Sequence, residues 1–375
     1  MKNGSQIFEL YGYPVDSWSS AAQVNLSHCN CPFMCAECDG GGNRFSSAVK
    51  LKPNHPLKKF FKRKTQVQSG VCSLQPHPGE QPWIVCPRRL LNYRKTSANN
   101  LQIDVKNALH IKSELPPGMT YSVWSEVKMK CLVSNGTKEG LFDYTFDYVI
   151  TGTKRKSLAS ISEDLGIDIA KAKKLIARSG LTLYHRDGEL FCDNFPALPL
   201  VIVEVMTSST CGGNKKDRTQ VAQVFEDTIL RLNGHPVEPQ GPAINYRQVW
   251  ARMVSQMLVK SQIGIAWGGT TFWVLQDLLA DYISKTTALN LSEFLSEHKG
   301  EVNIISGGYG KNIDPHQRES DFALIQDVKL YSGPIANNMS GKSSFSDIIK
   351  LGAAPDITEL WKKLIQKSPC ATFSL

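Results

Sequence analysis

The chain has 375 residues, of which 41% are apolar and 21% are charged. This ordinary globular composition argues against wholesale disorder, collagen and coiled coil. Lys and Arg number 43 against 34 Asp and Glu, a net charge of +9, which is compatible with nucleic acid or an anionic surface. No stretch approaches the roughly 18 consecutive apolar residues of a membrane helix, and the N-terminus lacks an apolar export segment. We therefore expect a soluble cytoplasmic protein with no membrane partner.

Cysteines are concentrated early in the chain. Six of the ten cysteines precede residue 90, and without an export signal such a cluster more often binds metal than forms disulfides. Cys31 and Cys38 form a C-x6-C pair and Cys72 and Cys86 a C-x13-C pair, which is looser than the spacing of a zinc ribbon. Four thiolates suit Zn²⁺ or a single iron. Unligated free thiols are the alternative, and the other candidate ligands nearby are Cys29, Cys35, His28, His55 and His77.

Residues 1–100 are rich in Cys, Pro, Gly and basic side chains and show little regular periodicity. Such a segment lacks the apolar mass to fold alone, so a bound metal would explain how it folds. We predict a metal-organised, DNA-contacting domain over residues 1–100.

From residue 121 onward the sequence shows regular alternation of apolar and polar residues. Residues 121–133 and 141–150 alternate between apolar and polar, and Asn135-Gly136 lies between them. Alternation on both sides of an Asn-Gly pair predicts a β-hairpin.

A compact basic unit follows the hairpin. A helix over 157–165 is broken by Gly166, and a second helix begins after Asp168 and ends at Gly180. A hairpin around residues 187–188 completes a pattern that resembles a winged helix-turn-helix. Lys171 and Lys174 on the second helix would then bind DNA phosphates. The alternative is a packing hairpin with a solvated basic face.

Two acids are candidates for chemistry. Glu204 lies in a nearly all-apolar strand, where an ionised carboxylate is costly unless it is paired or binds a cation. Period two places Ile202 and Met206 on the same face as Glu204. Asp147, with Asp143 as its neighbour on one strand face, could share Mg²⁺ with an acid of an adjacent strand. The alternatives are a strand-end Glu paired with a nearby lysine and two acids on a surface strand.

Together these features resemble the NotI-type restriction endonucleases. The matching segments occur in order over roughly residues 25 to 285. They are Cys31-Pro32-Phe33, Gly70-Val71-Cys72, Trp83-Ile84-Val85-Cys86-Pro87, Phe146-Asp147-Tyr148, Glu204-Val205-Met206-Thr207, the Gly212 and Lys215 spacing, and Gly241-Pro242 followed by the helix Val249–Met257.

The resemblance implies an α/β (α+β) chain with a PD-(D/E)XK nuclease core over residues 101–153 and 193–375. Residues 154–192, the winged-helix-like unit, would be an insertion into that core. The resemblance also implies one structural iron or zinc ion held by a four-cysteine site. Its ligands would be Cys31, Cys38, Cys72 and Cys86, with Cys35 competing for the place of Cys38.

The same resemblance makes Asp147 and Glu204 the catalytic acids that hold Mg²⁺, with Asp143 and Asp193 as alternatives for the first acid. The third position of the motif is usually Lys or Gln, but this chain has Met206. A thioether cannot donate a proton and is a poor ligand for hard Mg²⁺. Another residue would have to replace it: Lys215 is the first candidate, followed by Gln223 and Glu226.

Base recognition requires side chains in the major groove, where arginine paired to guanine is the commonest specific contact. For each candidate a solvated surface charge is the alternative. The candidates near the cysteine site are Asn43, Arg44, Arg88, Arg89 and Arg94.

These inferences predict a Type II restriction endonuclease of a bacterial cytoplasm. It would cut a GC-rich palindrome in double-stranded DNA with a GGCC centre, and a palindromic target implies a homodimer. One rival prediction is a non-enzymatic DNA-binding regulator, for which Met206 is the best argument. The other is a repair or modification-dependent endonuclease.

Overall fold

The computed structural model describes residues 4–15, 19–41, 48–61, 63–93, 102–103, 116–135, 138–211, 220–310, 323–336 and 343–350. The α-helices in these ranges are α1 (Ser20–His28), α2 (Pro87–Leu90), α3 (Leu158–Leu165), α4 (Ile169–Ser179), α5 (Gln220–Leu232), α6 (Tyr246–Ala266) and α7 (Asp277–Thr286). Short 3-10 helices cover Pro56–Lys59, Leu291–Phe294 and Phe345–Ile349.

The strands of the first half of the chain are β1 (Gln6–Leu10), β2 (Tyr13–Pro14), β3 (Asn30–Cys31), β4 (Ala36–Glu37), β5 (Ala48–Lys50), β6 (Gln66–Gln68), β7 (Val71–Gln75), β8 (Trp83–Ile84), β9 (Tyr121–Asn135) and β10 (Lys138–Ser157). Those of the second half are β11 (Leu183–Arg186), β12 (Glu189–Met206), β13 (Ser209–Cys211), β14 (Ala243–Asn245), β15 (Thr270–Gln276), β16 (Val302–Gly308) and β17 (Gln326–Gly333).

A seven-stranded sheet organises the molecule, in the order β17-β16-β15-β12-β10-β9, with β11 paired to the start of β12. Strands β12, β15 and β16 are parallel to one another, whereas the other neighbours are antiparallel. This mixed sheet and its helices confirm the predicted mixed α/β class.

The two faces of the sheet pack against different partners. Val203 and Phe272 belong to one buried cluster, whereas Trp273 and Leu275 belong to another that includes Met253 of α6. This division follows from the two-residue repeat of a strand. Helix α6 therefore lies against the face of β12 and β15 to which Glu204, Trp273 and Leu275 belong by alternation.

The predicted hairpin is confirmed and is longer than the alternation indicated. Strands β9 and β10 pair antiparallel from Lys138 opposite Asn135 to Gly152 opposite Tyr121. Strand β10 pairs with β12 only from Tyr148 onward. The first half of β10 and the second half of β9 thus form a two-stranded arm beyond the sheet.

The helices and hairpin predicted for the basic unit are confirmed. Asp168 caps α4 by accepting a hydrogen bond from the Lys171 backbone N–H, and Gly166 and Gly180 end α3 and α4 in the left-handed conformation. The unit has its own small core, which includes Ile161 and Ile176. Because β10 runs to Ser157 and β12 begins at Glu189, both strands cross the predicted boundaries without a break.

The larger of the buried clusters in the N-terminal region also contains residues from the second half of the chain. A second sheet has the order β2-β1-β7-β8. Ile7 of β1 and Phe61 share a buried cluster with Val221 and Phe225 of α5. The segment predicted as a domain over residues 1–100 therefore shares its core with a helix of the second half of the chain.

Candidate active site and cysteine cluster

Two carboxylates meet near the C-terminal end of β12. Tyr148 of β10 pairs with Val203 of β12, so Asp147 and Glu204 are adjacent on antiparallel neighbours. The Val205 backbone N–H donates a 2.8 Å hydrogen bond to Oδ2 of Asp147. Glu204 is only 3% exposed. The structure thus brings together the two acids that the sequence singled out.

A lysine of α6 completes the group. Nζ of Lys260 donates a 2.6 Å hydrogen bond to Oε2 of Glu204 and a 2.8 Å hydrogen bond to the Thr145 backbone oxygen. Its ammonium also lies 5.4 Å from the centre of the Phe146 ring, within cation–π range. Lys260 is 3% exposed, so its contact with the Glu204 carboxyl lies inside the protein.

Burial raises the pKa of both acids. It raises the pKa of Glu204 to about 8; the neighbouring Asp147 adds to this rise and Lys260 opposes it. Burial also raises the pKa of Asp147, against the hydrogen bond from the Val205 N–H. Two carboxylates this close repel each other when both are ionised, so the pair favours any ligand that brings positive charge.

One carboxylate oxygen is left without a partner. Oε1 of Glu204 is buried and accepts no hydrogen bond from the residues that the structure describes. An unsatisfied buried acceptor costs about 1–3 kcal/mol. Carboxylate oxygens are the ligands that Mg²⁺ prefers, so the Asp147 and Glu204 side chains fit a hard divalent cation.

A cavity of about 530 Å³ opens over this group and is lined by both acids. Helix α6 supplies Arg252, Gln256 and Lys260 to its lining, at intervals of four residues. A spacing of four keeps side chains on one helix face. The cavity therefore joins a pair of acids to a polar and basic helix face.

A second part of the lining comes from β9 and from the segment after Cys86. Arg88 and Glu126 both line the cavity, with 3.6 Å between Nη2 of Arg88 and Oε1 of Glu126. Glu126 has a φ of +55° within β9, which is unusual for a residue with a side chain. Strained backbone of this kind is concentrated at functional sites, and here the strained residue lines the cavity.

The alternative first acids lie elsewhere. Asp143 is exposed, pairs across the arm with Lys130, and is absent from the cavity lining. Asp193 is exposed and forms an ion pair with Arg155. This pair lies at the base of the winged-helix-like unit of residues 154–192, called the winged unit below. The structure therefore favours Asp147 as the partner of Glu204.

The residues proposed to replace the missing motif lysine do not lie together at the cavity. Met206 lines the cavity and packs partly buried against the α6 cluster. Glu226 contacts His55 at 3.3 Å, and Gln223 donates to Asp227 on α5; neither lines the cavity. Lys215 lies outside the described residues.

The sequence did contain a signal for Lys260. Val249, Met253 and Met257 are buried along one face of α6, and the same face continues to Lys260 and Gly264. A lysine in an apolar helical stripe is costly unless it is paired, so it calls for a buried acid. The acid, Glu204, lies 56 residues earlier, too far for local pattern reading to connect them.

The four cysteines implied by the resemblance gather in one place. Cys31, Cys72 and Cys86 are buried in one cluster, and Cys38 packs against it. Cys35 is exposed, with its thiol directed to the Pro32 backbone oxygen at 3.6 Å. The structure thus favours Cys38 over Cys35 as the fourth member. Eight described cysteines form no disulfide: Cys29, Cys31, Cys35, Cys38, Cys72, Cys86, Cys131 and Cys192.

The four thiols are electrostatic neighbours. Burial raises the pKa of Cys31 to about 12, and Cys86 adds to the rise. The hydrogen bond between the Cys72 and Cys86 side chains raises the pKa of Cys72 and lowers that of Cys86. Burial also raises the pKa of Cys38, with Cys86 and Cys31 contributing.

Two matching Cys-Pro turns support thiolates in this cluster. Backbone hydrogen bonds from Phe33 and Met34 reach the sulfur of Cys31, and those from Arg88 and Arg89 reach that of Cys86. Such donors stabilise a negatively charged sulfur, so the donor set fits one iron or zinc ion. Among the described residues, no group of three or more His, Cys, Asp or Glu side chains already has the geometry of a metal site.

The predicted DNA-reading residues have different surroundings. Arg89 is fully buried and paired with Glu9 at 3.0 Å, so its guanidinium belongs to the core and is not exposed to a base. Arg88 is 6% exposed and bonds to Asp39 and Tyr148 at the cavity. Asn43, Arg44 and Arg94 lie outside the described residues.

In the winged unit, Lys171 and Lys174 of α4 are exposed. Lys171 contacts Asp168 at 3.1 Å, an exposed pair that contributes little to stability. Both side chains remain accessible to a phosphate backbone.

Comparison with known proteins found no match among family models, curated proteins or solved structures. The resemblance to NotI-type enzymes therefore depends on the motifs quoted above. None of the described helices is long and apolar enough to cross a membrane.

Proposed function

We propose that this protein is a Type II restriction endonuclease that hydrolyses phosphodiester bonds at a specific double-stranded DNA site. The observation that carries the proposal is the buried group of Asp147, Glu204 and Lys260, which opens into a polar cavity. Two acids and a lysine are the side chains of a PD-(D/E)XK nuclease site, and the sheet that presents them is mixed, as that fold requires.

The carboxylates of Asp147 and Glu204 would hold Mg²⁺, and the buried Oε1 of Glu204 has no hydrogen-bond partner among the described residues. When bound, such an ion supplies positive charge to phosphate oxygens and lowers the pKa of a bound water. The Val205 N–H fixes Oδ2 of Asp147, which orients the carboxylate toward the cavity. The positions of these two side chains on β10 and β12 support the proposal.

Lys260 takes the role that Met206 cannot fill. Its ammonium holds a proton at Nζ beside Glu204, where negative charge on a phosphate would be stabilised. Helix α6 supplies this lysine in place of the strand position occupied by Met206. Met206 therefore does not favour an inactive nuclease core, because the Lys260 ammonium lines the same cavity.

The cysteine cluster would bind one structural iron or zinc ion and take no part in cleavage. Cys86 is followed directly by Pro87 and Arg88, which line the cavity. A metal at the cluster would therefore fix one side of the catalytic cavity.

Double-stranded DNA is the proposed substrate and a homodimer the proposed assembly, since a palindrome presents two equivalent half-sites. The winged unit would add phosphate contacts through Lys171 and Lys174 of α4. The proposed GC-rich target with a GGCC centre follows from the family resemblance. A cleavage map centred on AT-rich sites would contradict that part of the proposal.

The test is incubation of the purified full chain with unmethylated phage DNA in Mg²⁺ and in EDTA. Discrete Mg²⁺-dependent fragments are expected, and they should disappear in Glu204→Gln. Glu163→Gln is the matched control, because Glu163 is an exposed glutamate of α3 in the winged unit. Sequencing the fragment ends gives the target.

Two other results would redirect the assignment. DNA that is retarded but uncut in every lane would favour the DNA-binding regulator. Cutting that requires methylated DNA would favour a modification-dependent endonuclease.

A further inference from the structure

Helix α6 presents a row of polar side chains that the proposed chemistry does not use in full. Arg252, Gln256 and Lys260 all line the catalytic cavity, but only Lys260 contacts an acid. Arg252 is exposed and Gln256 is partly buried. Within the part of the chain that the structure describes, neither side chain has a hydrogen-bond or ion-pair partner.

The spacing of these residues follows the axis of α6. Four residues advance an α-helix by about 6 Å, so Arg252 lies about 12 Å along the helix from Lys260. Phosphates of one DNA strand are spaced about 3.4 Å along the duplex axis, so about 12 Å spans three to four of them. Arg252 thus lies farther along the helix than Lys260, where it is placed for a flanking phosphate.

The side chains also have suitable chemistry. Arginine donates paired hydrogen bonds to phosphate oxygens, and a glutamine amide donates to the same acceptors. The other two bases of the cavity, Arg88 and Lys260, are already paired with acids, so a phosphate backbone entering it would need a further basic counterpart. The free guanidinium of Arg252 provides that counterpart.

We propose that Arg252 and Gln256 form a phosphate-binding face of α6 that holds the DNA strand leading into the active site, with Arg252 binding a flanking phosphate. This inference rests on the proposed function and specifies how the same cavity holds its substrate. Arg252 is a positioning residue: it binds substrate away from the reacting atoms.

The experiment compares Arg252→Gln with Arg247→Gln in the full chain. Arg247 is a matched control, because it is an exposed arginine on the same helix and is absent from the cavity lining. Binding to a short fluorescein-labelled duplex with a central GGCC is measured with Ca²⁺ in place of Mg²⁺, since both ions take oxygen ligands, across a series of salt concentrations.

We expect Arg252→Gln to weaken binding about tenfold and to reduce the salt slope by about 1, as for one lost phosphate contact. Arg247→Gln should leave both values unchanged, and Gln256→Ala should weaken binding without changing the slope. In cleavage assays Arg252→Gln should raise KM more than it lowers kcat. Thermal unfolding should be the same for the two arginine variants and the wild type, because both arginines are exposed.

Equal binding and equal slopes for the two arginine variants would overturn the inference while leaving the nuclease intact. A wild-type chain that binds no duplex would instead overturn the proposed function. The two failures are therefore distinguishable within one set of measurements.

Discussion

The molecule contains two buried ion pairs that differ in how completely they are satisfied. Arg89 and Glu9 are both fully buried, and Glu9 also accepts hydrogen bonds from Ser73 and Tyr309. Lys260 and Glu204 are each 3% exposed, and Oε1 of Glu204 has no partner among the described residues.

In the Arg89–Glu9 pair, both charged groups have several hydrogen-bonding or ring partners. The guanidinium of Arg89 lies about 5 Å from the ring centres of Phe33 and Tyr309 and also donates to the Ala323 backbone oxygen. Arg89 thus connects Glu9 of the N-terminal sheet to Ala323 in the C-terminal part of the chain. The second pair borders a cavity and keeps an acceptor free, so it retains the capacity to bind something else. Complete satisfaction indicates a structural role, and incomplete satisfaction at a cavity indicates a binding role.

The largest expected effect comes from breaking the Arg89–Glu9 pair. Glu9→Gln should lower the free energy of unfolding by about 3–5 kcal/mol, because Arg89 keeps its charge and loses its counterion. Urea unfolding followed by tryptophan fluorescence measures this change. Glu37→Gln is the control, since Glu37 pairs with Lys64 at an exposed site. A loss in Glu9→Gln no larger than in the control would contradict a structural role.

Breaking the Lys260–Glu204 pair should affect activity more than stability. Lys260→Met should lower the rate of Mg²⁺-dependent cleavage about 100- to 1,000-fold, the usual cost of removing one group that stabilises transition-state charge. Its free energy of unfolding should fall less than in Glu9→Gln, because Glu204 can take up a proton when the ammonium is absent.

Rate and stability should both be measured on the same Lys260→Met preparation. Full cleavage activity in this variant would remove Lys260 from the active site. Lys285→Met, on α7, is the control for a lysine outside the catalytic cavity.

The raised pKa of Glu204 predicts a pH dependence. Its pKa is about 8 in the folded protein against 4.5 ordinarily, so the folded state binds more protons between these values. Without divalent ions, the Glu204 contribution to stability should be greatest below pH 4.5 and should be lost as the pH rises to about 8.

Thermal unfolding across this window compares the wild type with Glu204→Gln, which cannot ionise. The difference between them should change with pH in the direction given, and a constant difference would rule out a raised pKa. Divalent-ion binding near neutral pH should also release protons, which calorimetry in two buffers detects.

The smallest expected effect concerns the cysteines. Cys38→Ser should reduce the content of bound iron or zinc in the purified protein and weaken DNA cleavage, because Cys38 packs with the other three thiols. Cys35→Ser should change neither value, since Cys35 is exposed. Elemental analysis gives the metal content. Equal loss in both variants would show that the cluster does not discriminate between the two cysteines.

Local signals allowed much of the winged unit to be predicted. The caps at Gly166, Asp168 and Gly180 depend on side chains within a few residues. Long-range partners could not be seen in this way. Lys260 lies 56 residues from Glu204, and Arg89 lies 80 residues from Glu9. For the same reason a core arginine was assigned to DNA contact and the lysine at the site was missed.

The long strands β10 and β12 connect the winged unit to the candidate active site and set the distance between them. Cys192 pairs with Lys156, and Glu204 lies beside Asp147, nine residues from Lys156 along β10, which corresponds to about 30 Å at 3.3 Å per residue. A duplex lying beside these strands would present about nine base pairs over that length, at one phosphate per strand every 3.4 Å. If the protein cuts DNA as proposed, these strands would give it a footprint extending about nine base pairs beyond the bond it cuts.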